Sequence, residues 1–196
     1  TFSMGTSTLS VTGGNWSNRG ATFQRLNGTI LFYGGDSPTF NESSLYHLTV
    51  NKSAGTVTLS NAATSTGRVA VFGGTLALTN ATVLELNGET TPLVVSGGTL
   101  TPGTASIRYA TTTAMNVAAT NHYILTLGST GTYTVTASTT ATNDFNLTGG
   151  TLSLGANTLY VGANVTNGGT IATGTTGAIE LNGGGAQTFP TFTLDN

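Results

Sequence analysis

Residues 48–78 of this 196-residue chain return, almost in register, as residues 125–154. The first stretch reads LTVNKSAGTVTLSNAATSTGRVAVFGGTLAL and the second LTLGSTGTYTVTASTTATNDFNLTGGTLSL. One residue is missing from the second, opposite Ala54, and from there the offset is a constant 76 positions. Self-similarity at a fixed period constrains a fold more than any local propensity, because every copy must make the same kind of unit. Extended backwards, the match gives two full copies, 1–74 and 75–150, and a truncated third, 151–196.

The three copies agree at alternate positions. Leu9, Leu84 and Leu159 correspond, as do Val11, Leu86 and Val161. Ile30, Ile107 and Ile179 form another set, followed by Phe32, Tyr109 and Leu181. Leu48, Leu125 and Phe192 align, then Val50, Leu127 and Leu194. The slot between two such sets is unconstrained, for it holds Leu31, Arg108 and Glu180. That is period-two alternation, one face buried and one wet. It predicts short strands at 8–11, 29–33, 46–50, 56–60, 68–72 and 75–78, with equivalents later. Gly-Gly, Asn-Gly and Gly-Asn pairs punctuate them. Residues 37–44 (SPTFNESS) read as a longer loop that the third copy lacks. No stretch spaces apolar residues by three and four over more than two turns, so the class is all-β.

GGTL occurs at 73–76, 97–100 and 149–152, and GGTI at 168–171. The spacings of 24 and 19 fit one solenoid coil per 20–25 residues, with three coils to a copy and eight in all. The expectation is a right-handed parallel β-helix in which the aligned apolar positions stack as columns. A β-sandwich is the alternative: it also alternates, with turn signals every 8–12 residues, but it requires no internal repetition. Composition is uniform and shows no linker. One domain, 1–196, is therefore expected, with Pro38, Pro92, Pro102 and Pro190 at turns or strand ends.

Only twelve residues are charged, for a formal net charge of -2. The surface must be covered otherwise, and 43 Thr, 15 Ser, 17 Asn and 28 Gly make up more than half the chain. Five scattered cations cannot follow a phosphate track, which excludes nucleic acid as a partner. The absence of cysteine excludes disulfides and thiolate metal sites. No apolar run reaches the roughly 18–20 residues of a membrane helix, so no membrane insertion is expected. The chain does not begin with Met and shows no signal peptide; it reads as a processed protein or as part of a longer one.

Several segments resemble the repeats of large secreted bacterial surface proteins, the adhesins and autotransporter-like β-helix arrays. They are GGNWSNRGATF at 13–23, GTILFYGG at 28–35 and LYHLTVNKSAGTVTLS at 45–60, with ELNGGGAQTFPTFTLDN at 180–196 in the same order in the third copy. The resemblance implies an extracellular, multi-repeat setting and carries over no catalytic residue.

Residue by residue, the chemistry reads as structural. The acids are Asp36, Glu42, Glu85, Glu89, Asp144, Glu180 and Asp195, each in a different slot of its copy. A glycosidase needs two carboxylates about 5–10 Å apart, and only Glu85 and Glu89, around the Asn87-Gly88 turn, are close in sequence. They are expected to serve solubility and the turn. Arg108 lacks the acidic company a lyase would need. Calcium-binding repeats are absent, and no Lys follows Gly183-Gly184-Gly185 to make a phosphate loop. His47 aligns with Ile124 and His122 with Leu45, so the two do not share a slot as a metal pair would. Trp16, Tyr33, Tyr46, Tyr109 and Tyr123 could form a sugar-stacking face. However, Tyr109 shares a set with Phe32, and Trp16 aligns with Val94 and Val165, so both are expected in the core. Seven N-x-S/T sequons, against about five expected by chance, make no case for glycosylation.

The expected function is therefore non-enzymatic, with no catalytic, cofactor or metal residue: a structural and adhesive stalk segment, extracellular or at the cell surface. The alternative is a self-assembling protomer of a filament or sheath, stacked end to end through edges such as 191–196. A carbohydrate-binding or polysaccharide-degrading β-helix ranks below both. The expected partners are the chain itself or neighbouring repeats, with surface glycans as a further candidate.

Overall fold

The computed structural model describes residues 1–16, 22–80, 82–174 and 176–191. The chain is all-β, and its parallel strands stack as a β-solenoid of about nine turns. The sandwich alternative fails on strand direction, since sandwich sheets are antiparallel and the pairings within both units here are parallel. Contacts group the chain into two units, Thr1–Ala105 and Ser106–Asn196. The free edge expected at 191–196 lies, from residue 192 on, outside the described residues.

In the first unit one sheet runs through Thr8–Val11, Thr29–Phe32, His47–Leu59, Val69–Leu78 and Leu93–Val95. Its inward columns are Leu9–Ile30–Leu48–Val69–Leu93 and Val11–Phe32–Val50–Val71–Val95. From Ile30 and Phe32 through Val69 and Val71, these side chains are at most 1% exposed. The long strands then turn a corner and give a second column, Val57–Leu76–Leu100. A third stacks Leu45, Ser65 and Leu86. Ser65 is fully buried, and its hydroxyl donates to the Tyr46 carbonyl at 2.9 Å. Each buried aliphatic or aromatic side chain contributes about 1.5–3 kcal/mol, which is how a chain with so few charges holds its shape.

The second unit repeats the scheme. One column is Ile107–Leu125–Phe145–Val165 and its neighbour Tyr109–Leu127–Leu147–Asn167. Around a corner lies Met115–Tyr133–Leu152–Ile171. The third column is His122–Ala141–Val161–Leu181.

Register fixes the coil length. Thr29 pairs with His47, a step of 18, and Val69 with Leu93, a step of 24. Coils thus hold 18–24 residues, slightly fewer than expected. GGTL is explained by this register: Thr75 and Leu76 pair with Thr99 and Leu100, and Thr151 and Leu152 with Thr170 and Ile171. The glycines form the corner, threonine faces out and leucine or isoleucine faces in. Pro38, Pro92 and Pro102 flank Thr39–Phe40, Leu93–Val95 and Thr99–Thr101, and the carbonyls of the first two accept the next or previous coil's N–H.

Three expectations are corrected. First, the aligned sets do not stack. Leu9 and Leu84 correspond in sequence, yet Leu9 pairs with Ile30 and Leu84 with Ala63, on a different sheet. Ile107 pairs with Leu125, whereas Ile179 pairs with Leu159. Tyr109 pairs with Leu127, whereas Leu181 pairs with Val161. The repeat offset does not return a strand to its own sheet: Leu48 lies in a seven-stranded sheet and the aligned Leu125 in a nine-stranded one. Second, 37–44 is not simply a loop. It contains strands Thr39–Phe40 and the start of Ser44–Leu45, and Phe40 is fully buried, edge-on to Phe32 at 5.2 Å. Third, the solenoid has about nine turns where about eight were expected.

Gly150 shows what a corner demands. Its φ is +75°, and an added Cβ would lie 2.6 Å from the Ser129 carbonyl oxygen and run into that of Gly131. A left-handed conformation costs a non-glycine residue about 1–2 kcal/mol before any clash. Gly150→Ala is expected to lower the unfolding free energy by about 2 kcal/mol. Gly184→Ala, in open space with no positive φ, should change it little. Paired urea titrations check the difference, and equal midpoints would refute it.

Candidate functional site

The densest polar chemistry lies in the core of the second unit. Ser106–Tyr109 places Tyr109 inward, and Asn121–His122 places His122 inward from the facing wall; both are fully buried. The Ala118 N–H donates to Tyr109 Oη at 3.1 Å, so that oxygen is already an acceptor. Its own proton then points at His122 Nε2, 3.3 Å away. This leaves the proton of the imidazole on Nδ1, which faces the Thr140 carbonyl at 3.4 Å. Thr139 Oγ1 closes the group, 2.8 Å from the Thr120 carbonyl and 3.1 Å from that of Ala118. Burial holds His122 down at about 4, against a partial upward pull from the Thr140 and Thr120 carbonyls. Burial likewise pushes the Tyr109 hydroxyl well above its ordinary range. Both rings are thus neutral at neutral pH, and each polar atom is satisfied inside the core, as buried polar atoms must be. Nearby, Tyr133 Oη lies 3.4 Å from both the N–H and the carbonyl of Thr111. These groups tie neighbouring coils together and present no nucleophile to solvent.

Sequence reasoning treated His122 only as a candidate metal ligand. The signal for its core role was present, because His122 aligns with Leu45, and Leu45 is fully buried.

The other candidates disperse. His47 Nδ1 accepts the Arg68 N–H at 2.9 Å, which puts its proton on Nε2, 3.6 Å from Glu89 Oε1. Glu85 instead accepts from Asn87 Nδ2 at 2.9 Å, so the two glutamates serve different partners. Arg108 Nη2 donates to the Gly128 carbonyl at 3.1 Å. Asp144 Oδ1 accepts the Asn164 N–H at 3.0 Å, and Asn164 Oδ1 accepts that of Thr188, a relay from coil to coil. Glu42 is buried, 5% exposed, and accepts from Trp16 Nε1 at 2.8 Å. Asp195 lies outside the described residues. Gly183 packs against the Gly162 carbonyl, which gives it a corner's role.

Of the aromatics, Tyr109 is in the core as expected. Trp16 is only half-buried, edge-on to Phe23 at 5.6 Å. Tyr46 and Tyr123 are half-buried and Tyr33 is exposed. Among the described residues, no three His, Cys, Asp or Glu side chains converge as a metal site, and no helix is long and apolar enough to cross a membrane.

No protein-family model matches the chain, and no curated protein or solved structure matches it either.

Proposed function

We propose that this chain is a non-enzymatic, load-bearing and adhesive β-solenoid segment of an extracellular surface protein, of the kind its repeats resemble. The observation that carries this reading is the unbroken lateral ladder. From Thr8 to Leu93 one sheet steps coil by coil in parallel register, with apolar columns beneath it. Side chains reinforce the steps: the Thr39 N–H donates to Asn15 Oδ1, that of Thr56 to Ser37 Oγ, and that of Thr158 to Ser138 Oγ. In a stack of this kind each coil depends on its neighbours alone, so load is shared along the array.

Pulling single molecules from both ends is the test. Coils of about 20 residues should release contour length in steps of about 7 nm, at ~3.5 Å per residue. A featureless extension without steps would overturn the load-bearing reading, and turnover in a polysaccharide screen would overturn the non-enzymatic one. Fibres growing from purified chain at neutral pH would favour the end-to-end protomer over the stalk segment.

A further inference from the structure

Around the corner from the first sheet face, unit 1 carries a two-column array of outward side chains. One column is Thr56, Thr75 and Thr99. The other is Thr39, Thr58, Ala77 and Thr101. All are half-buried or exposed, while the residues between them, Val57 and Leu76 among others, are buried. Six of the seven positions are threonine. The richness of the whole chain in threonine does not account for this. On the adjoining face the two corresponding columns, Thr8–Thr29–His47 and Ser10–Leu31–Thr49–Ala70–Val94, hold three threonines in eight positions.

The backbone spaces the array. Parallel, in-register strands repeat at ~4.8 Å between coils, and alternate residues of a strand lie about 6.6 Å apart. Threonine is β-branched and stiff at χ1, so hydroxyls and methyls repeat with the backbone at little further entropic cost. Not one of the seven positions carries an ionisable side chain. A charged partner would lose hydration here without gaining an opposite charge. The surface is complementary to an uncharged partner that repeats in two dimensions and takes hydrogen bonds from regularly placed hydroxyls. Water anchored on these hydroxyls, with methyls between them, would take up the same two-dimensional repeat.

We propose that this face binds ice, with the anchored water layer forming part of the crystal plane. This goes beyond the stalk reading and does not depend on it. The test grows ice slowly in a dilute solution of the purified chain, beside a protein of similar size with no such array. Several-fold enrichment of the chain in the ice is expected. Thr75→Tyr, at the middle of the array, should drop to the reference level, and Thr49→Tyr on the adjoining face should match the parent. Thr75→Val keeps the shape and removes one hydroxyl, so it should fall between them. Circular dichroism establishes which variants keep the fold, and Thr75→Val decides if the tyrosine variant does not. Parent protein no more enriched than the reference overturns the proposal, as does undiminished uptake of a folded Thr75→Tyr. Capture on a crystalline neutral polysaccharide in place of ice would also overturn it, and would reassign the face to a glycan.

Discussion

Phe145→Ala is expected to lower the unfolding free energy by about 3–5 kcal/mol, the usual cost of emptying a large buried aromatic site. Phe145 is fully buried and lies in register between Leu125 and Val165, so its ring contacts the coil before and the coil after. The lost area is one part of the cost and the residual cavity is the other. The cavity cannot readily collapse, because the flanking strands are held apart by their own ladder. In a stack with nearest-neighbour coupling the damage should also be local. Amide protection is expected to fall first at 125–127, 145–147 and 165–167, with smaller changes around 178–181. Urea titration followed by fluorescence, with native-state hydrogen exchange, measures both. Asn146→Ala, outward on the same strand and paired with Thr126 and Thr166, is the comparison and should cost less than about 1 kcal/mol. A Phe145→Ala cost as small as that of Asn146→Ala would show that the inward columns do not hold the solenoid together.

The sequence made strands, alternation and coil length readable, because each rests on short-range chemistry. Gly73 and Gly97 are one coil apart both in sequence spacing and in register, since a corner needs glycine wherever it recurs. What could not be read was which face each strand occupies. A segment of inward, outward, inward residues followed by a glycine corner looks nearly the same on every face. Alignment therefore superposed Leu9 on Leu84, although one pairs with Ile30 and the other with Ala63. Polar satisfaction was equally hidden. Glu42 and Trp16 lie 26 positions apart, and nothing local tells a chain that the indole N–H will supply the carboxylate with a partner. Tyr109 was readable as core from its alternation. Its hydrogen bond to His122 was not, because the bond joins two walls of one coil that alternation treats as independent.

Burial of His122 makes the second unit acid-sensitive. His122 in the unfolded chain takes up its proton near pH 6.5, whereas in the fold burial delays uptake until about 4. Above pH 6.5 both states are neutral and the full stability is present. Between 6.5 and about 4 the unfolded chain binds a proton that the native state does not, so stability falls by about 1.4 kcal/mol per pH unit. The loss reaches about 3 kcal/mol and levels off once the folded imidazole is also protonated. Carboxylates add their own acid dependence at the lower end, so the informative quantity is the difference between the parent and His122→Leu. Leucine is the residue at the aligned and fully buried position 45. At pH 7.5 the variant should be less stable by about 1–3 kcal/mol, since Tyr109 Oη and the Thr140 carbonyl lose their partner. Between pH 6.5 and 4 the parent should lose that advantage, until at pH 4 the variant equals or exceeds it. Urea titrations of both chains at half-unit pH intervals give the two curves. Parallel curves across that window would mean that the folded imidazole takes up its proton no later than the unfolded one, so that burial does not hold it down. Below pH 6.5 Nε2 would then carry a proton inside the fold, and Tyr109 Oη would have to accept it while also receiving the Ala118 N–H.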